Sequence, residues 1–372
     1  MNFGYGEQTI DVSDVLEVLN VFDTPYLTQG PKCTEFEQAI CEYTGAKFAV
    51  AVSNATAGLH ISALATGITN GDRAITSPNT FLASSNCVLY SGGKVDFADI
   101  DPKTGCIDAK EIEKHITPET KLIIPVHFSG IACDMEAIHE IATKHNLTVI
   151  EDAAHAIGTD YKNKKIGSCE FSKATVFSFH PVKTITTGEG GIITTNDKEF
   201  YNKLVALRSH GTHRGQRWHY EMRELGYNYR MTDIQAALGI SQLKKLNNFK
   251  QRRREITNLY HQLFKDDTRF SFLQEPSYSN ACFHLCPLLI DFSQVKITKE
   301  ELYDKLREKG LFLQIHYIPV HTQPYYKDMG YNWGDYPAAE AYYNAEISLP
   351  LFPTLTDNDV HKIVQIFKDL TV

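Results

Sequence analysis

The residue with the clearest chemical potential is Lys183, in the segment SFHPVKTITTGEGG at 178–191. A lysine becomes a nucleophile when removal from water lowers its pKa, as covalent bonding to a carbonyl group requires. Strand-like runs at 174–179 and 191–195 flank the segment and look like an antiparallel-capable pair. The glycines near its end permit a tight turn beside a bound group, but they do not form the G-x-G-x-x-G pattern of a dinucleotide site. We therefore interpret Lys183 as a candidate for covalent carbonyl chemistry.

A second candidate is Asp152, which follows the apolar run 147–151. It is expected at the carboxyl end of a strand, where open α/β sheets bind their ligands. A buried carboxylate there needs a cationic partner or strong hydrogen bonds. A protonated pyridine nitrogen is one such partner, and the carboxylate would keep that ring able to accept electrons. The same residue also fits a structural role as the cap of the next helix.

A third candidate is the segment SNATAGLH at 53–60. A strand is expected to end at Val52, and a helix is expected to start after the small residues. The free N–H groups and the dipole of a helix start suit an anion such as a phosphate. Thr56 adds a hydroxyl donor, and Ala57 brings a backbone N–H close. An ordinary helix cap has the same pattern.

The bulk composition is typical of a globular enzyme. The 372 residues are 42% hydrophobic and carry a net charge of −8, which argues against the basic face of a nucleic-acid-binding protein. No stretch approaches the roughly 20 apolar residues of a membrane span, and the N-terminus lacks the features of a signal peptide. We therefore expect a cytoplasmic protein. The eight cysteines lack the spacing of a zinc site, so we expect reduced thiols, most of them in the core, and no metal.

Alternating segments are expected to position these candidates. Between about residues 35 and 200 the chain alternates between helix-like and strand-like segments, which predicts an α/β fold with a mainly parallel sheet. The helix-like segments are 34–44, 55–66, 108–115 and 134–145, and the strand-like segments are 47–52, 73–76, 94–97, 121–126 and 147–151. Two domains are expected from the length, a large one at 1–240 and a small one at 241–372.

A long helical pattern at 232–264 is expected to join the two domains. It contains the run Arg252-Arg253-Arg254, which we interpret as a solvated helix face because the whole chain is acidic. Beyond it, the pattern predicts a smaller α+β domain. Its elements are a strand at 282–291, a helix at 298–309, a strand at 311–317 and a helix at 356–370.

In their order along the chain, these motifs resemble the DegT-type sugar-nucleotide aminotransferases, which depend on pyridoxal phosphate. The resemblance covers almost the whole chain, through LTQGP, SNATAGLH, GDRAITSPNTF, PVHFSG, EDAAHAIG, SFHPVKTITTGEGG, RSHGT, GYNYRMTDIQAALG and IHYIPVHTQPYY. It implies the fold type I of pyridoxal-phosphate transferases, which is aspartate aminotransferase-like. The branch that it resembles most belongs to pseudaminic acid biosynthesis. Members of that branch move an amino group from L-glutamate to C4 of a UDP-linked 4-keto-6-deoxy-N-acetyl sugar.

The resemblance also implies roles for individual residues. Lys183 corresponds to the Schiff-base lysine, and Asp152 to the partner of the pyridine nitrogen. The other implied cofactor contacts are Thr56, Ala57 and Ser178 at the phosphate, Phe81 stacked on the ring, His155 beside the ring, and Asn228 from the second subunit. Substrate contacts are implied for Tyr5, Pro25, Tyr26, Leu27, Thr28, Ala55, Gln314, Ile315, His316 and Tyr317.

The role implied for Asn228 predicts a homodimer with a shared active site. Arg230 lies close to it in sequence and is a candidate for binding the carboxylate of glutamate. His180 belongs to the SFHP motif, and we interpret it as structural.

Alternative functions remain open at the level of the sequence. A TDP- or GDP-linked 4-keto-6-deoxy sugar fits the motifs, and residue types do not define the stereochemistry at C4. Relatives with histidine in place of the lysine act as dehydratases, so Lys183 favours transamination. A cysteine desulfurase would need a reactive cysteine on a mobile loop, and no candidate is convincing. A non-catalytic regulator that binds pyridoxal phosphate would need a DNA-binding module, for which the chain has neither the length nor the charge.

Overall fold

The computed structural model describes residues 2–372. The helices are α1 Val12–Phe22, α2 Pro31–Thr44, α3 Ala55–Thr66, α4 Ala83–Tyr90, α5 Ala109–Lys114, α6 Met135–Lys144, α7 Lys198–Arg208, α8 Asp233–Leu243, α9 Leu246–Phe264, α10 Lys299–Glu308, α11 Pro324–Lys327, α12 Pro337–Ala345 and α13 Asp357–Leu370. The strands are β1 Phe3–Gly4, β2 Phe48–Val52, β3 Arg73–Thr76, β4 Lys94–Phe97, β5 Thr120–Ile124, β6 Thr148–Asp152, β7 Asp160–Tyr161, β8 Lys164–Lys165, β9 Ala174–Ser178, β10 Gly191–Thr195, β11 Thr212–Arg214, β12 Tyr220–Met222, β13 Phe270–Phe272, β14 Ser279–Asn280, β15 Cys286–Ile290, β16 Leu311–Phe312 and β17 Glu346–Leu349.

The largest sheet has seven strands in the order β2-β10-β9-β6-β5-β3-β4. Six of them point the same way, and β10 runs antiparallel to both of its neighbours. The α/β class, the mainly parallel sheet and the antiparallel pairing of 174–179 with 191–195 are therefore confirmed. Because the six parallel strands end at the same edge, the residues that follow them meet there.

The strands of this sheet are short apolar runs, as expected when helices cover both faces. Helix α3 packs closely on one face because Gly58 lacks a side chain. A Cβ on Gly58 would lie 2.9 Å from Val176 Cγ1. The start of α3 is thereby held next to the ends of β9 and β10.

A second, antiparallel sheet has the order β13-β15-β17 and forms the smaller α+β unit with α9, α10 and α13. Strand β1 near the N-terminus pairs with β16 of this region. This pairing carries Tyr5 toward the segment 313–317, which lies between the two sheets.

Two predicted elements of the C-terminal half differ from the structure. The pattern at 232–264 forms two helices, α8 and α9, separated at Lys244 and Lys245. The predicted domain boundary at 240/241 falls inside α8, and the division into two domains stays a prediction. The predicted strand at 311–317 forms a continuous strand only at its first two residues, and Gln314 adds one isolated antiparallel bridge to Ser348. Beyond them, the N–H of His316 donates to the carboxylate of Glu346 at 2.9 Å instead of to a neighbouring strand.

The interpretation of Arg252-Arg253-Arg254 as a solvated helix face is wrong for the central residue. Arg253 is only 1% exposed, because its guanidinium reaches three backbone carbonyls, those of Phe283, His284 and Leu351. Its two neighbours bind carboxylates near the surface: Arg252 pairs with Asp357 and Arg254 with Glu275.

The expectation of reduced cysteines, most of them in the core, is confirmed. All eight are free thiols, and six of them are buried. Within residues 2–372, no helix combines the length and the apolar character that crossing a bilayer demands.

Candidate active site

A cavity of about 930 Å³ opens where the parallel strands of the large sheet end. A cavity of this size accommodates a cofactor together with a substrate. It brings together most of the residues that the sequence predicts for the site. These are Tyr5, Ala55, Thr56, Ala57, Phe81, Asp152, His155, Ser178, Lys183, Gln314, Ile315, His316 and Tyr317.

Lys183 lies in the loop that connects β9 with β10. The loop closes through two backbone hydrogen bonds, from the N–H of Lys183 to His180 O at 2.9 Å and from the N–H of Thr187 to Phe179 O at 3.0 Å. Gly188 completes the turn with a φ of 79°, a conformation that suits glycine. Burial lowers the pKa of the Lys183 amine to about 8, and the charge of Asp152 partly opposes this shift. A larger fraction of the amine is therefore neutral and nucleophilic near neutral pH than in water.

Asp152 is the last residue of β6 and is 4% exposed. Its carboxylate accepts hydrogen bonds from Ser84 Oγ at 2.6 Å and from the N–H of Ala154 at 3.0 Å. Within residues 2–372, no lysine, arginine or histidine side chain lies in ion-pair contact with it. The site therefore presents a buried anion to the cavity, and a cationic ligand group would compensate it.

The start of α3 forms the anion-binding end of the cavity. Asn54 caps the helix, and its Oδ1 accepts a hydrogen bond from the N–H of Ala57 at 2.8 Å. The N–H of Ala57 therefore already has an acceptor within the chain, and its contact with a phosphate stays a prediction. The first four N–H groups of a helix have no acceptor within the helix, so the N–H groups of Ala55 and Thr56 are the free donors of this turn.

Gly191 allows β10 to pass directly beside this helix start. A Cβ at this position would lie 2.6 Å from the backbone nitrogen of Ala55. Gly191 also pairs with Ser178 across the two antiparallel strands, which places the Ser178 side chain next to the same turn. The glycine thus explains how the hydroxyl of Ser178 and two N–H groups come together at one side of the cavity, where an anion would fit.

His155 lies against Tyr317 at another wall of the cavity. Burial and the nearby charge of Lys183 hold the pKa of His155 well below its ordinary range, so the imidazole is neutral. Its Nδ1 accepts from the N–H of Ser129 at 3.3 Å. The ring hydrogen is therefore on Nε2, 3.1 Å from the Tyr317 hydroxyl. Phe81 is 57% exposed at the opening, 6.2 Å from the Tyr317 ring.

A buried polar chain stands behind His316. His316 Nδ1 lies 2.8 Å from Ser348 Oγ, and Ser348 Oγ lies 2.5 Å from Glu346 Oε1. Burial lowers the pKa of His316 to about 3 and raises the pKa of Glu346 to about 8. Tyr5 covers the His316 ring, with 4.6 Å between the ring centroids. This chain fixes the orientation of His316 at the cavity wall.

Two residues that contact Asp152 and Lys183 are missing from the sequence prediction. Ser84 binds Asp152, and it lies three positions after Phe81 in the motif NTFLASS. His284 lies beside Lys183, with 3.4 Å between Nε2 and Nζ. The only sequence signal for His284 is a single histidine within the predicted strand 282–291, and such a histidine is equally common in an ordinary hydrophobic core.

Other predicted residues do not line the cavity of their own chain. They are exposed and are absent from the cavity lining: Pro25, Tyr26, Leu27, Thr28 and Asn228. Residues 25–28 lie next to the segment that contains Asn228, because Thr28 forms an isolated β-bridge with Thr232. Arg230 lines a separate depression with the hairpin of β11 and β12.

His180 contributes its carbonyl to the Lys183 loop, but its side chain does not pack in the core. The imidazole is about half exposed at the cavity, 4.0 Å from Glu189. A structural role of the His180 side chain therefore finds no support in its surroundings.

The donor set fits pyridoxal phosphate. The buried Asp152 carboxylate suits a protonated pyridine nitrogen, the start of α3 with Ser178 suits a phosphate, and the Lys183 amine suits an aldehyde. The fold and these groups together define a pyridoxal-phosphate-dependent transferase of fold type I.

Comparison with known proteins agrees with this class. The DegT/DnrJ/EryC1/StrS aminotransferase family matches residues 8–368, and the chain belongs to this family. A UDP-4-amino-4,6-dideoxy-N-acetyl-beta-L-altrosamine transaminase of Campylobacter jejuni is 40% identical over 93% of this chain and 91% of its own.

Solved structures show the same likeness. PseC of Helicobacter pylori, an aminotransferase involved in the biosynthesis of pseudoaminic acid, has a TM-score of 0.93 and 35% identity, and the match covers 100% of this chain and 99% of PseC. The pyridoxal-phosphate form of Spr1654 from Streptococcus pneumoniae has a TM-score of 0.93 and 29% identity over 100% and 98% of the two chains. The chain is thus a pyridoxal-phosphate-dependent transaminase of a sugar aminotransferase family.

Proposed function

We propose that the enzyme moves an amino group from L-glutamate to C4 of a UDP-linked 4-keto-6-deoxy-N-acetyl sugar, as a step toward pseudaminic acid. The observation that carries the transfer chemistry is the convergence of Lys183, Asp152 and the start of α3 on one cavity. The names of the Campylobacter and Helicobacter relatives support the sugar, because their similarity extends over 93% and 100% of this chain. The size of the cavity leaves room for such a substrate next to the cofactor.

When bound, pyridoxal phosphate supplies an aldehyde that bonds to amines and a ring that accepts electrons. We assign Lys183 as the residue that bonds to it in the resting enzyme. Asp152 stabilises the protonated ring nitrogen, and the N–H groups of Ala55 and Thr56 hold the phosphate together with Ser178. Phe81 and His155 contact the ring.

Lys183 also moves the proton of the reaction. Released as a neutral amine, it takes a proton from the carbon that carries the donated nitrogen and returns one to the cofactor. The reverse transfer accompanies amination of the sugar. A pKa of about 8 suits both directions, because the amine gains and loses a proton readily near neutral pH. The lowered pKa of His155 keeps a competing positive charge away from Lys183.

We further propose a homodimer in which Asn228 completes the site of the partner subunit. Asn228 is exposed and does not line the cavity of its own chain. The surface next to it exposes large apolar side chains, with Trp218 82% exposed and Tyr220 67% exposed. Such a surface is typical of a protein interface. Pro25 to Thr28 are exposed next to this segment, since Thr28 bridges Thr232, so we assign their substrate contacts to the partner's cavity as well.

We place the reaction in the cytoplasm. The eight free thiols support this assignment, because reduced cysteines are typical of a reducing compartment.

The proposal is tested with purified full-length enzyme and a panel of 4-keto-6-deoxy sugar nucleotides linked to UDP, TDP or GDP. Product mass and NMR identify the aminated carbon and its configuration. We expect turnover of the UDP-linked N-acetyl sugar with glutamate, and little turnover with aspartate. Success with a TDP- or GDP-linked sugar alone would overturn the proposed substrate and leave the chemistry intact.

A parallel spectrum tests the chemistry alone. Addition of glutamate without any sugar is expected to convert the visible absorption of the resting enzyme to that of the amine form of the cofactor. Lys183→Ala is expected to lose this conversion and all turnover, whereas Lys110→Ala, at an exposed position, is the matched control and is expected to keep both.

A further inference from the structure

His284 is the nearest polar neighbour of the Lys183 amine outside its own loop, at 3.4 Å from Nζ. It is 3% exposed, and its N–H donates to Ser129 O at 2.8 Å, which anchors its backbone. Its ring lies against His155, with 4.6 Å between the centroids. Neither family membership nor the proposed roles of Lys183 and Asp152 give this histidine a task.

Arg253 stands directly behind His284. Its guanidinium donates to His284 O and Phe283 O at 3.3 Å and to Leu351 O at 3.0 Å. An arginine keeps its proton in proteins, and no carboxylate among residues 2–372 pairs with this one. A permanent positive charge is therefore buried on the far side of His284.

The burial of the imidazole and the charge of Arg253 both lower the pKa of His284. Burial and the charges of Lys183 and Arg253 hold the pKa of His284 well below its ordinary range. The titratable groups that face it are Lys183, His155, His316 and Arg253. All of them disfavour an additional proton, so the imidazole stays neutral while Lys183 changes its charge.

We propose that His284 is a positioning residue for Lys183, whose amine donates a hydrogen bond to the Nε2 lone pair of His284. The proposal rests on the role assigned to Lys183 above. A neutral imidazole carries one ring hydrogen, which this contact places on Nδ1. Only this tautomer can accept a hydrogen bond at Nε2 from the charged form of Lys183, because an ammonium donates hydrogen bonds and accepts none. His284 can then hold Lys183 at the same place before and after it takes up a proton.

The cost of this arrangement is visible at the other ring nitrogen. Within the described chain, Nδ1 of His284 is buried and has no hydrogen-bond partner. An unpaired buried polar group is destabilising, so the position is not optimised for stability. Its contact with Lys183 is the feature that explains a histidine here.

The test measures the titration of Lys183 in the full-length enzyme after release of the cofactor with hydroxylamine. Competitive acetylation with acetic anhydride between pH 6 and pH 10 gives the midpoint for Lys183 by mass spectrometry. His284→Phe removes the acceptor, and a hydrogen bond to the charged form raises a lysine pKa. We therefore expect the midpoint to fall by about one pH unit.

Two polar variants separate the contact from the packing. His284→Gln places an amide oxygen near the position of Nε2 and is expected to keep the wild-type midpoint. His284→Asn places it near Nδ1 and is expected to behave like His284→Phe. If His284→Phe does not fold, the Gln and Asn pair decides the question. An unchanged or raised midpoint in the variants that lack the acceptor would overturn the proposal.

His321→Phe is the matched control. His321 is 0% exposed and, like His284, has a buried Nδ1 without a partner within residues 2–372, but its Nε2 lies 2.8 Å from Glu340 and not beside Lys183. The His321→Phe variant is expected to have a lower melting temperature than wild type and an unchanged Lys183 midpoint. The labelling needs no transamination, so a failure of the proposed function and a failure of the His284 contact give different results.

Discussion

The imidazole of His155 donates its Nε2 hydrogen to the hydroxyl of Tyr317 across 3.1 Å. The direction follows from the other ring nitrogen, because Nδ1 accepts from the N–H of Ser129. The Tyr317 oxygen is an acceptor in this contact, so its own hydrogen remains available to a ligand in the cavity. The contact also ties the large sheet to the segment that follows β16.

Tyr317→Phe is therefore expected to weaken substrate binding more than folding. One hydrogen bond is worth about 0.5–1.5 kcal/mol, so we expect KM for the sugar nucleotide to rise by up to about tenfold. Steady-state kinetics and thermal unfolding give the two quantities. Tyr326→Phe is the control, since it removes a buried hydroxyl that binds Ser85 and Asn86 away from the cavity. Equal KM values for the two variants would contradict a ligand contact of Tyr317.

Lys183 is expected to lower the stability of the enzyme from which the cofactor has been released. Its folded pKa of about 8 lies below the ordinary value of 10.5. Between these values the unfolded chain holds a proton that the folded chain releases, so the contribution of Lys183 to stability rises with pH across this window. Below pH 8 the enzyme must fold with a buried ammonium, which is the costly state.

Lys183→Met should therefore raise the melting temperature at pH 7, by about 2 °C or more, and the gain should shrink toward pH 10. Differential scanning calorimetry at both pH values measures it. Lys110→Met, at an exposed position, should change neither value. A lower melting temperature of Lys183→Met at pH 7 would show that the lysine stabilises the fold.

The parts of the fold that the sequence predicts well are those that local chemistry delimits. Helix α3 has the predicted bounds because Asn54 caps its start and Gly67, with a φ of 84°, ends it. Asp152 ends its strand where predicted, and the turn around Lys183 follows from its glycines. Each of these features is determined within a few residues of chain.

The residues that sequence reasoning missed depend on contacts between distant segments. His284 meets Lys183 across 101 positions, and Arg253 is buried because three carbonyls from other segments converge on it. The segment after Phe312 keeps only one isolated bridge, from Gln314 to Ser348, and beyond it the side chain of Glu346 takes the N–H of His316. No local pattern predicts such partners.

The shared site is expected to allow complementation between two inactive variants. Asn228→Ala should weaken the binding of the cofactor phosphate in the partner's cavity. Lys183→Ala should abolish the chemistry in the cavity of its own chain. In a mixed dimer one cavity loses both residues and the other keeps both. After unfolding and refolding as an equal mixture, we expect about one quarter of the wild-type activity.

Each variant refolded alone is the control for this experiment and should stay near its own low activity. The same low activity in the mixture would show that Asn228 acts on its own chain or not at all. Analytical ultracentrifugation of the mixture checks that dimers have formed.

Glu346 is expected to make stability depend on pH in the opposite direction to Lys183. Burial raises its pKa from the ordinary 4.5 to about 8, so the folded chain holds a proton that the unfolded chain releases between these values. The contribution of Glu346 to stability is fully present below about pH 4.5 and is lost as the pH rises to 8. Glu346→Gln cannot ionise, and it keeps groups able to bind Ser348 and the N–H of His316. Relative to wild type, its melting temperature should rise by about 2–5 °C between pH 5 and pH 8. Glu308→Gln, at an exposed position, is the control and should show no such trend. A constant difference in melting temperature between Glu346→Gln and wild type across this range would mean that Glu346 is ionised throughout.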